Sequence, residues 1–183
     1  MAEKVMVDLP GFITRDSQTK HILVHDDSHL LISNTTIAEM FLRLFLTLGY
    51  EETGKIIYES AKVGAFRVQK RLIEAYKVTL RSPEDLTNRI LKLPFYIQTY
   101  GLGTGNAVQR AGEFLLIVRS SSIGELLKSS GLQRPVCFFV AGVFAGIAQA
   151  YAELLDSAII YECVETRCIA IGDKHCEFRL YAK

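Results

Sequence analysis

The spacing of apolar residues changes from a strand-like start to a helical middle. Two apolar runs, 21–25 and 29–32, flank a polar cluster, a pattern that predicts a β-hairpin. After this hairpin the apolar residues recur every three or four positions until Gly49, as on the buried face of a helix. Thr36 and Glu39 stand in the register of a capping box, so we expect the first helix to begin there.

The same criteria predict alternating helices and strands over the rest of the chain. A second helix is expected over 51–77. Ser82 followed by Pro83 and two acidic residues is a typical start for a third, which Pro94 should end or kink. The remaining predicted elements are a buried strand, a short helix, a long apolar helix and two final strands, at 112–120, 122–128, 135–155, 157–171 and 175–181. Together they predict an α+β fold with helices packed on one face of an antiparallel sheet.

Length and composition are those of one globular domain over 1–183, with the hairpin and first helices in 1–100. The chain has 183 residues, 49% of them hydrophobic and 22% charged, and a formal net charge of +1. That charge does not favour a nucleic-acid binder, which is usually distinctly basic. The N-terminus has acidic residues and no long apolar run, so we expect a cytoplasmic protein without a secretory signal.

The long apolar helix is not expected to span a membrane. Its most apolar stretch, 136–152, is shorter than the ~20 residues that a spanning helix needs. Gly142, Gly146 and Ala150 form a stripe of small residues along it. Such a stripe predicts that a neighbouring strand or helix packs closely against this helix.

Four cysteines in a chain without a secretion signal favour metal binding or free thiols over disulfides. If residues 172–174 form a three-residue hairpin loop, Ala170 faces Cys176 and Cys168 lies diagonally across from it. Diagonal partners are roughly 7–8 Å apart at their backbones, so both thiolates could reach one ion. The competing interpretation is that these cysteines simply fill core space, as free cysteines often do.

The chain as a whole resembles the 4-vinyl reductase domain, also called a hydrocarbon-binding domain, by its motifs in the C-terminal part, 101–183, and by its architecture in the first half. Glu165, Cys168 and Cys176 have the spacing Glu-x-x-Cys-x7-Cys, with a glycine inside the hairpin, and the preceding helix opens with Cys137 and carries two glycines. The resemblance implies a zinc ion held by Cys137, Glu165, Cys168 and Cys176 on a C-terminal β-hairpin. The stretch after Cys137 is a few residues longer than in the family's sensors, so Cys163, on the strand face of Glu165, stays open as an alternative ligand.

Relatives of this domain include phenol-sensing input domains of bacterial transcription activators and subunits of vesicle-tethering complexes. In such sensors an apolar pocket between helices and sheet holds an aromatic compound. The resemblance therefore implies a pocket lined by aromatic residues, for which the candidates are Phe95, Tyr96, Tyr100, Phe114, Phe139 and Phe144. The competing interpretation is that these aromatics belong to an ordinary core.

No catalytic motif accompanies these features, and no hydride source supports the reductase activity in the family's name. The glycine-rich run 101–105 has neither the context nor the Lys-Ser/Thr pair of a phosphate loop, and it is interpreted as a flexible turn. We expect a zinc-stabilised module that binds a small hydrophobic or aromatic molecule and, like the family, forms a homodimer. The alternatives are an assembly or scaffold protein and an enzyme acting on a tetrapyrrole.

Overall fold

The computed structural model describes residues 13–15, 22–24, 27–29, 33–99 and 101–183. The chain separates into two compact units, 1–33 and 34–183. In the first unit three short antiparallel strands pair in the order β1-β2-β3, and they are β1 (Ile13–Arg15), β2 (Ile22–Val24) and β3 (Asp27–His29). In the pairing of β2 with β3, Val24 lies opposite Asp27. The predicted hairpin is present, but the polar cluster thought to form its turn contributes residues to β3.

The second unit contains six helices and a four-stranded sheet among its described residues. Its elements in chain order are α1 (Asn34–Leu48), α2 (Tyr50–Ala75), α3 (Pro83–Ile90), α4 (Leu93–Thr99), β4 (Thr104–Arg110), β5 (Glu113–Arg119), α5 (Ser122–Lys128), α6 (Phe138–Ala152), β6 (Tyr161–Arg167) and β7 (Cys176–Ala182). Single 3-10 turns follow α6 at Glu153–Leu155 and β6 at Ile169–Ile171.

The sheet of the second unit is antiparallel throughout, in the order β4-β5-β7-β6. Every second residue of its two central strands is buried, and these residues are Phe114, Leu116, Val118, Cys176, Phe178 and Leu180. Because alternate strand residues point to opposite faces, this pattern places the core on one side of the sheet. Phe144 of α6 packs edge-on against Phe178 from that side, at 5.4 Å between ring centroids. The α+β architecture predicted from the sequence is confirmed.

Helix α6 lies in the middle of the core and packs along α2. A Cβ atom added to Gly142 would collide with the backbone carbonyl of Tyr58, and one added to Gly146 with that of Lys62. The predicted close approach is therefore confirmed, with α2 as the neighbour. In the described part of the chain, one segment, Phe138–Leu155, is long and apolar enough to cross a membrane, and most of it is buried inside the protein.

Several element boundaries differ from the predictions. Helix α1 begins at Asn34, so Thr36 lies within its first turn rather than at a capping position. Ser82 caps α3 as expected, because its hydroxyl accepts a hydrogen bond from the Asp85 amide. Pro94 falls in the first turn of α4, where proline is tolerated because that turn's amides need no intrahelical partner.

Two strands also differ from the predictions. The run 101–105 is not all turn, since its last two residues begin β4, a strand that the alternation of apolar residues did not indicate. The strand predicted over 157–171 is shorter, Tyr161–Arg167.

The helix contact predicts opposite effects for two glycine-to-alanine substitutions. Gly146→Ala should lower the free energy of unfolding by about 1–3 kcal/mol, because its methyl group meets the α2 backbone. The matched control is Gly64→Ala in α2, where an added Cβ meets nothing within 4 Å. That change should leave stability unchanged or raise it by about 0.4–1 kcal/mol. Urea unfolding of both variants measures the difference, and equal effects would contradict the proposed packing.

Candidate functional site

Four buried or half-buried side chains converge at one end of the core. Ligand atoms of Cys137, Glu165, Cys168 and Cys176 all lie within 4.8 Å of one another. Cys137 precedes the first turn of α6, Glu165 is on β6, and Cys176 opens β7. The group therefore joins the start of α6 to both strands of the C-terminal hairpin. We call these four residues the cysteine–glutamate cluster.

The hairpin that carries three members of the cluster is less regular than predicted. The pairing shifts between Glu165 and Arg167, so that Arg167 lies opposite Glu177. Residues 169–171 then form a 3-10 turn, and Gly172 takes the left-handed backbone at φ 98° that closes it. The expected ladder pairing of Ala170 with Cys176 is therefore wrong, because a bulge and a helical turn replace the ladder.

This irregular loop brings Cys168 back toward β7. The Asp173 carboxylate accepts a hydrogen bond from the Cys168 amide at 2.8 Å. The Ile169 amide donates to the Cys176 sulfur at 3.4 Å. Both bonds hold the loop around the sulfur atoms, and the amide–sulfur contact favours a thiolate because it donates to the charged form. Asp173 had not been predicted to contribute, because a bond from an amide five residues earlier leaves no signal in the sequence.

Cys137 is placed by the start of α6 and by Glu165. Its amide donates to Glu165 Oε2 at 2.9 Å. Its Sγ lies 3.6 Å from that of Cys176 and 3.9 Å from that of Cys168. The hydroxyl of Ser121, which also caps α5, lies 3.5 Å from the same sulfur. The partial positive charge at the helix N-terminus favours an ionised thiol here, but hydrogen bonding to the other two sulfurs and burial outweigh it.

Burial and mutual repulsion shift the proton affinities of the cluster. Burial raises the pKa of Glu165 to about 9, and the charge of Cys168 adds to the shift. Hydrogen bonds from Cys137 and Cys176 lower the pKa of Cys168 to about 2. Hydrogen bonding to Cys168 and Cys176, then burial, raises the pKa of Cys137 well above its usual value. The pKa of Cys176 is also raised; the bond with Cys137 opposes the rise, while the bond with Cys168 and burial drive it.

The pKa shifts of these four groups have one common cause. The cluster can sustain a single negative charge by sharing protons among its members, but further ionisation would place like charges together in a buried volume. A bound divalent cation removes that obstacle, because it interacts favourably with every ionised ligand.

One atom of the cluster also lacks a partner. Glu165 Oε1 is buried and forms no hydrogen bond with any described residue. Such an unsatisfied buried oxygen is costly unless something else contacts it. The donor set, the short sulfur–sulfur distances and this oxygen together show a site that could hold a metal ion.

Cys163 lies outside the cluster, although it shares a strand face with Glu165. It is buried, its amide donates to the Tyr58 hydroxyl at 3.1 Å, and burial raises the pKa of its thiol. The same hydroxyl donates to Glu162, which also pairs with Lys62 of α2 at 2.9 Å. The alternative left open by the sequence thus has a geometric answer: Cys137, not Cys163, lies beside the other three ligand atoms.

The aromatic candidates for a ligand pocket are distributed over several parts of the second unit. Phe95 is 67% exposed, and Phe114 is buried on β5. Phe139 packs against Phe41 of α1, whereas Phe144 packs against the sheet. Its exposure sets Phe95 apart, whereas the other described candidates lie in or against the core, and their role as the lining of a pocket stays a prediction. Tyr100 lies outside the described residues.

Tyr96 is part of a polar contact within the core. Its hydroxyl lies 2.7 Å from that of Tyr151 on α6. Tyr151 is fully buried, and burial, followed by the bond to Tyr96, raises its pKa. Paired hydroxyls inside an apolar core are the one feature of the aromatic set that could orient a polar group of a ligand.

No protein family's sequence model matches the chain, and no curated protein matches it. Solved structures do match. The phenol-responsive sensory domain of the transcription activator PoxR with phenol has a TM-score of 0.73 at 16% identity, covering 93% of this chain and 85% of that domain. Trafficking protein particle complex subunit 3 from Naegleria fowleri, covalently bound to palmitic acid, has a TM-score of 0.58 at 14% identity, with 82% and 95% covered.

An H-NOX protein from S. oneidensis in the Fe(II)NO ligation state is a more distant match, with a TM-score of 0.50 at 12% identity, covering 86% of this chain and 79% of that one. At these identities the likeness is one of fold. The fold of the chain is thus similar to that of a phenol-responsive sensory domain and to that of a trafficking complex subunit, the two kinds of relative that the sequence had indicated.

Proposed function

We propose that this protein is a zinc-stabilised module that binds or senses a small hydrophobic or aromatic molecule. The observation that carries the proposal is the cysteine–glutamate cluster, which lies in a fold like that of a phenol-responsive sensory domain. The proposed location is the cytoplasm, where reducing conditions keep free thiols available for a metal. We propose no enzymatic step for the chain.

Zinc suits the cluster in chemistry and in dimensions. Zinc binds thiolates at about 2.3 Å, so two sulfur ligands of a tetrahedral ion are about 3.8 Å apart. The Sγ of Cys137 lies 3.6 Å and 3.9 Å from the other two sulfurs, before any adjustment to an ion. The unpartnered Oε1 of Glu165 supplies a fourth donor. Thiolates with one carboxylate are also the donors that favour zinc over magnesium or calcium.

The role of such an ion would be structural. Cys137, Glu165, Cys168 and Cys176 fill all four positions of a tetrahedral site, which leaves no open position for a reacting water. The ion would fasten the start of α6 to the irregular loop between β6 and β7. Because the ligands come from separate elements, metal binding would stabilise the folded state as a whole.

The proposed ligand site lies near the Tyr96–Tyr151 pair, between α4 and α6. Leu93 and Ile97 on α4 are fully buried, so the surroundings of the pair are apolar. Apolar walls with a few polar groups are typical of sites for small aromatic ligands. The two hydroxyls could exchange their mutual hydrogen bond for bonds to a phenolic or other polar group.

A second candidate function is assembly with other proteins, favoured by the fold likeness to a trafficking complex subunit. Helix α1 carries apolar side chains in solvent, with Leu46 73% exposed and Met40 50% exposed. Exposed apolar residues grouped on one helix are typical of surfaces that take part in association. Assembly and ligand binding are compatible with each other. A core that holds no ligand would leave assembly as the function.

The zinc proposal predicts about one zinc ion per chain by elemental analysis. Cys176→Ser should lose the metal and lower the free energy of unfolding by about 4 kcal/mol or more, the range seen when a metal site is lost. For a chain of this length the melting temperature should fall by roughly 10 °C. Full zinc occupancy in this variant would contradict the assignment.

Cys163→Ser is the matched control for that experiment. It changes a buried cysteine two residues from Glu165 that is not part of the cluster. It should keep the zinc and lose less stability than Cys176→Ser. If Cys163→Ser lost zinc while Cys137→Ser kept it, Cys163 rather than Cys137 would be the zinc ligand.

The ligand proposal predicts that phenols or hydrocarbons raise the melting temperature. Anything that binds only the folded state stabilises it, by about 2.7 kcal/mol at a hundredfold excess over the dissociation constant. Tyr151→Phe should reduce the shift given by phenols and spare that given by plain hydrocarbons, because it removes one hydroxyl of the pair. Tyr181→Phe is the control, since Tyr181 follows the buried Leu180 on β7 and faces the other side of the sheet. A broad screen without any stabilisation would leave assembly as the surviving function.

A homodimer is the oligomeric state expected of either function. Sedimentation velocity at micromolar concentration should give the mass of two 20.5 kDa chains. A monomer across the whole concentration range would contradict the expectation and weaken the assembly function in particular.

A further inference from the structure

A cleft lies on the surface beside α3, away from the cysteine–glutamate cluster. Its volume is about 510 Å³, within the range of sites for small molecules. The loop between α2 and α3 forms one wall, and α3 together with Lys92, two residues beyond its end, forms the other. The lining residues are Thr79, Leu80, Arg81, Asp85, Asn88, Arg89 and Lys92.

The cleft carries an excess of positive charge. Arg81, Arg89 and Lys92 face a single carboxylate, that of Asp85, so the lining has a formal charge of about +2. Asp85 already accepts a hydrogen bond from the backbone amide of Arg81 at 2.8 Å, which fixes the loop against α3. Among the ion pairs of the described residues, none involves the three cations of the cleft. Their charges are therefore available to a ligand.

Arg89 is held in position by the core beneath the cleft. Its guanidinium lies 5.7 Å from the centre of the Tyr151 ring, and the Tyr151 hydroxyl is in turn bonded to Tyr96. An arginine resting on an aromatic ring loses little further freedom when it binds a planar anion. Leu80, half-buried against the core, gives the cleft an apolar wall next to these charges.

We propose that this cleft binds an oxyanion, the carboxylate or phosphate group of a small organic molecule. The forked guanidinium of Arg89 matches the paired oxygens of either group, and Arg81 and Lys92 add charge from the rim. Thr79 and Asn88 bring neutral hydrogen-bond donors to the same space. The lining includes no residue of the cysteine–glutamate cluster or of the Tyr96–Tyr151 pair, and only Arg89 contacts that pair, through Tyr151. A test that changes Arg81 and Lys92 therefore separates this assignment from the proposed function.

The test is a titration of the full chain, labelled with nitrogen-15, with inorganic phosphate and separately with benzoate. Amide signals of Thr79, Arg81 and Asn88 should move with saturable curves, and those of the exposed Lys55 should not. Arg81→Gln combined with Lys92→Gln should weaken binding about tenfold or more, because charge-assisted contacts are lost. Arg89 stays in place in this variant, since its removal would disturb the packing on Tyr151. Added salt should weaken binding to the unaltered protein.

Two controls make the outcome decisive. Lys55→Gln combined with Arg110→Gln removes two exposed cations elsewhere, on α2 and at the end of β4, and should leave both affinities unchanged. Saturable binding of phosphate alone would identify a phosphate ligand, and binding of benzoate alone a carboxylate whose apolar body lies on Leu80. No saturable shift with either probe at millimolar concentration would overturn the proposal. Equal losses in the two double variants would overturn it as well, because they would show a general effect of charge.

Discussion

The balance of negative charge at the cysteine–glutamate cluster is the constraint on which the rest of this fold depends. Three thiols and one carboxyl share a buried volume in which no pair of ligand atoms is more than 4.8 Å apart. In water each group could ionise freely, but here burial raises the pKa of Glu165 to about 9. A divalent cation, bound as proposed, would resolve the conflict and would join three separate parts of the chain at one point. Without the ion, only shared protons offset the negative charge of the three thiols and the carboxyl.

The cysteine–glutamate cluster positions α6, and α6 positions the remainder of the core. The helix starts at the cluster and continues along α2, so closely that Gly142 and Gly146 leave no room for a side chain. At its far end, Gln149 bonds to the backbone of Tyr161 and Ile159 and thereby binds the edge of the sheet. Tyr151 from the same turn of the helix reaches both the Tyr96 hydroxyl and Arg89 of the surface cleft. The cysteine–glutamate cluster, the proposed ligand site and the cleft therefore all contact one helix, α6.

The sequence predicted the parts of this arrangement that depend on strong local patterns. The capped start of α3, the helix over 122–128 and the glycine stripe of α6 were all visible, because each rests on a few adjacent residues. The four members of the cluster were named from spacing together with a family resemblance. Spacing alone had wrongly placed Ala170 opposite Cys176, since a bulge and a 3-10 turn leave no signature in the alternation of residues.

Other features depend on contacts between distant residues and could not be read in advance. Strand β4 is half-exposed and polar, so it lacks the apolar alternation that revealed β5. Arg89, Tyr96 and Tyr151 contact one another from three different helices, and no short motif joins them. The ring contacts of Phe139 with Phe41 and of Phe144 with Phe178 were not foreseen either, because aromatic content indicates burial but not which side chains meet.

X-ray absorption at the zinc edge tests the central claim most directly, because it reports the atoms bound to the ion in solution. Three sulfur neighbours at about 2.3 Å and one oxygen neighbour at about 2.0–2.2 Å are expected for a cluster of Cys137, Glu165, Cys168 and Cys176. The spectrum should be the same for Cys163→Ser. Four sulfur neighbours would place Cys163 on the metal and displace Glu165. The absence of sulfur neighbours, or of stoichiometric zinc, would contradict the assignment altogether.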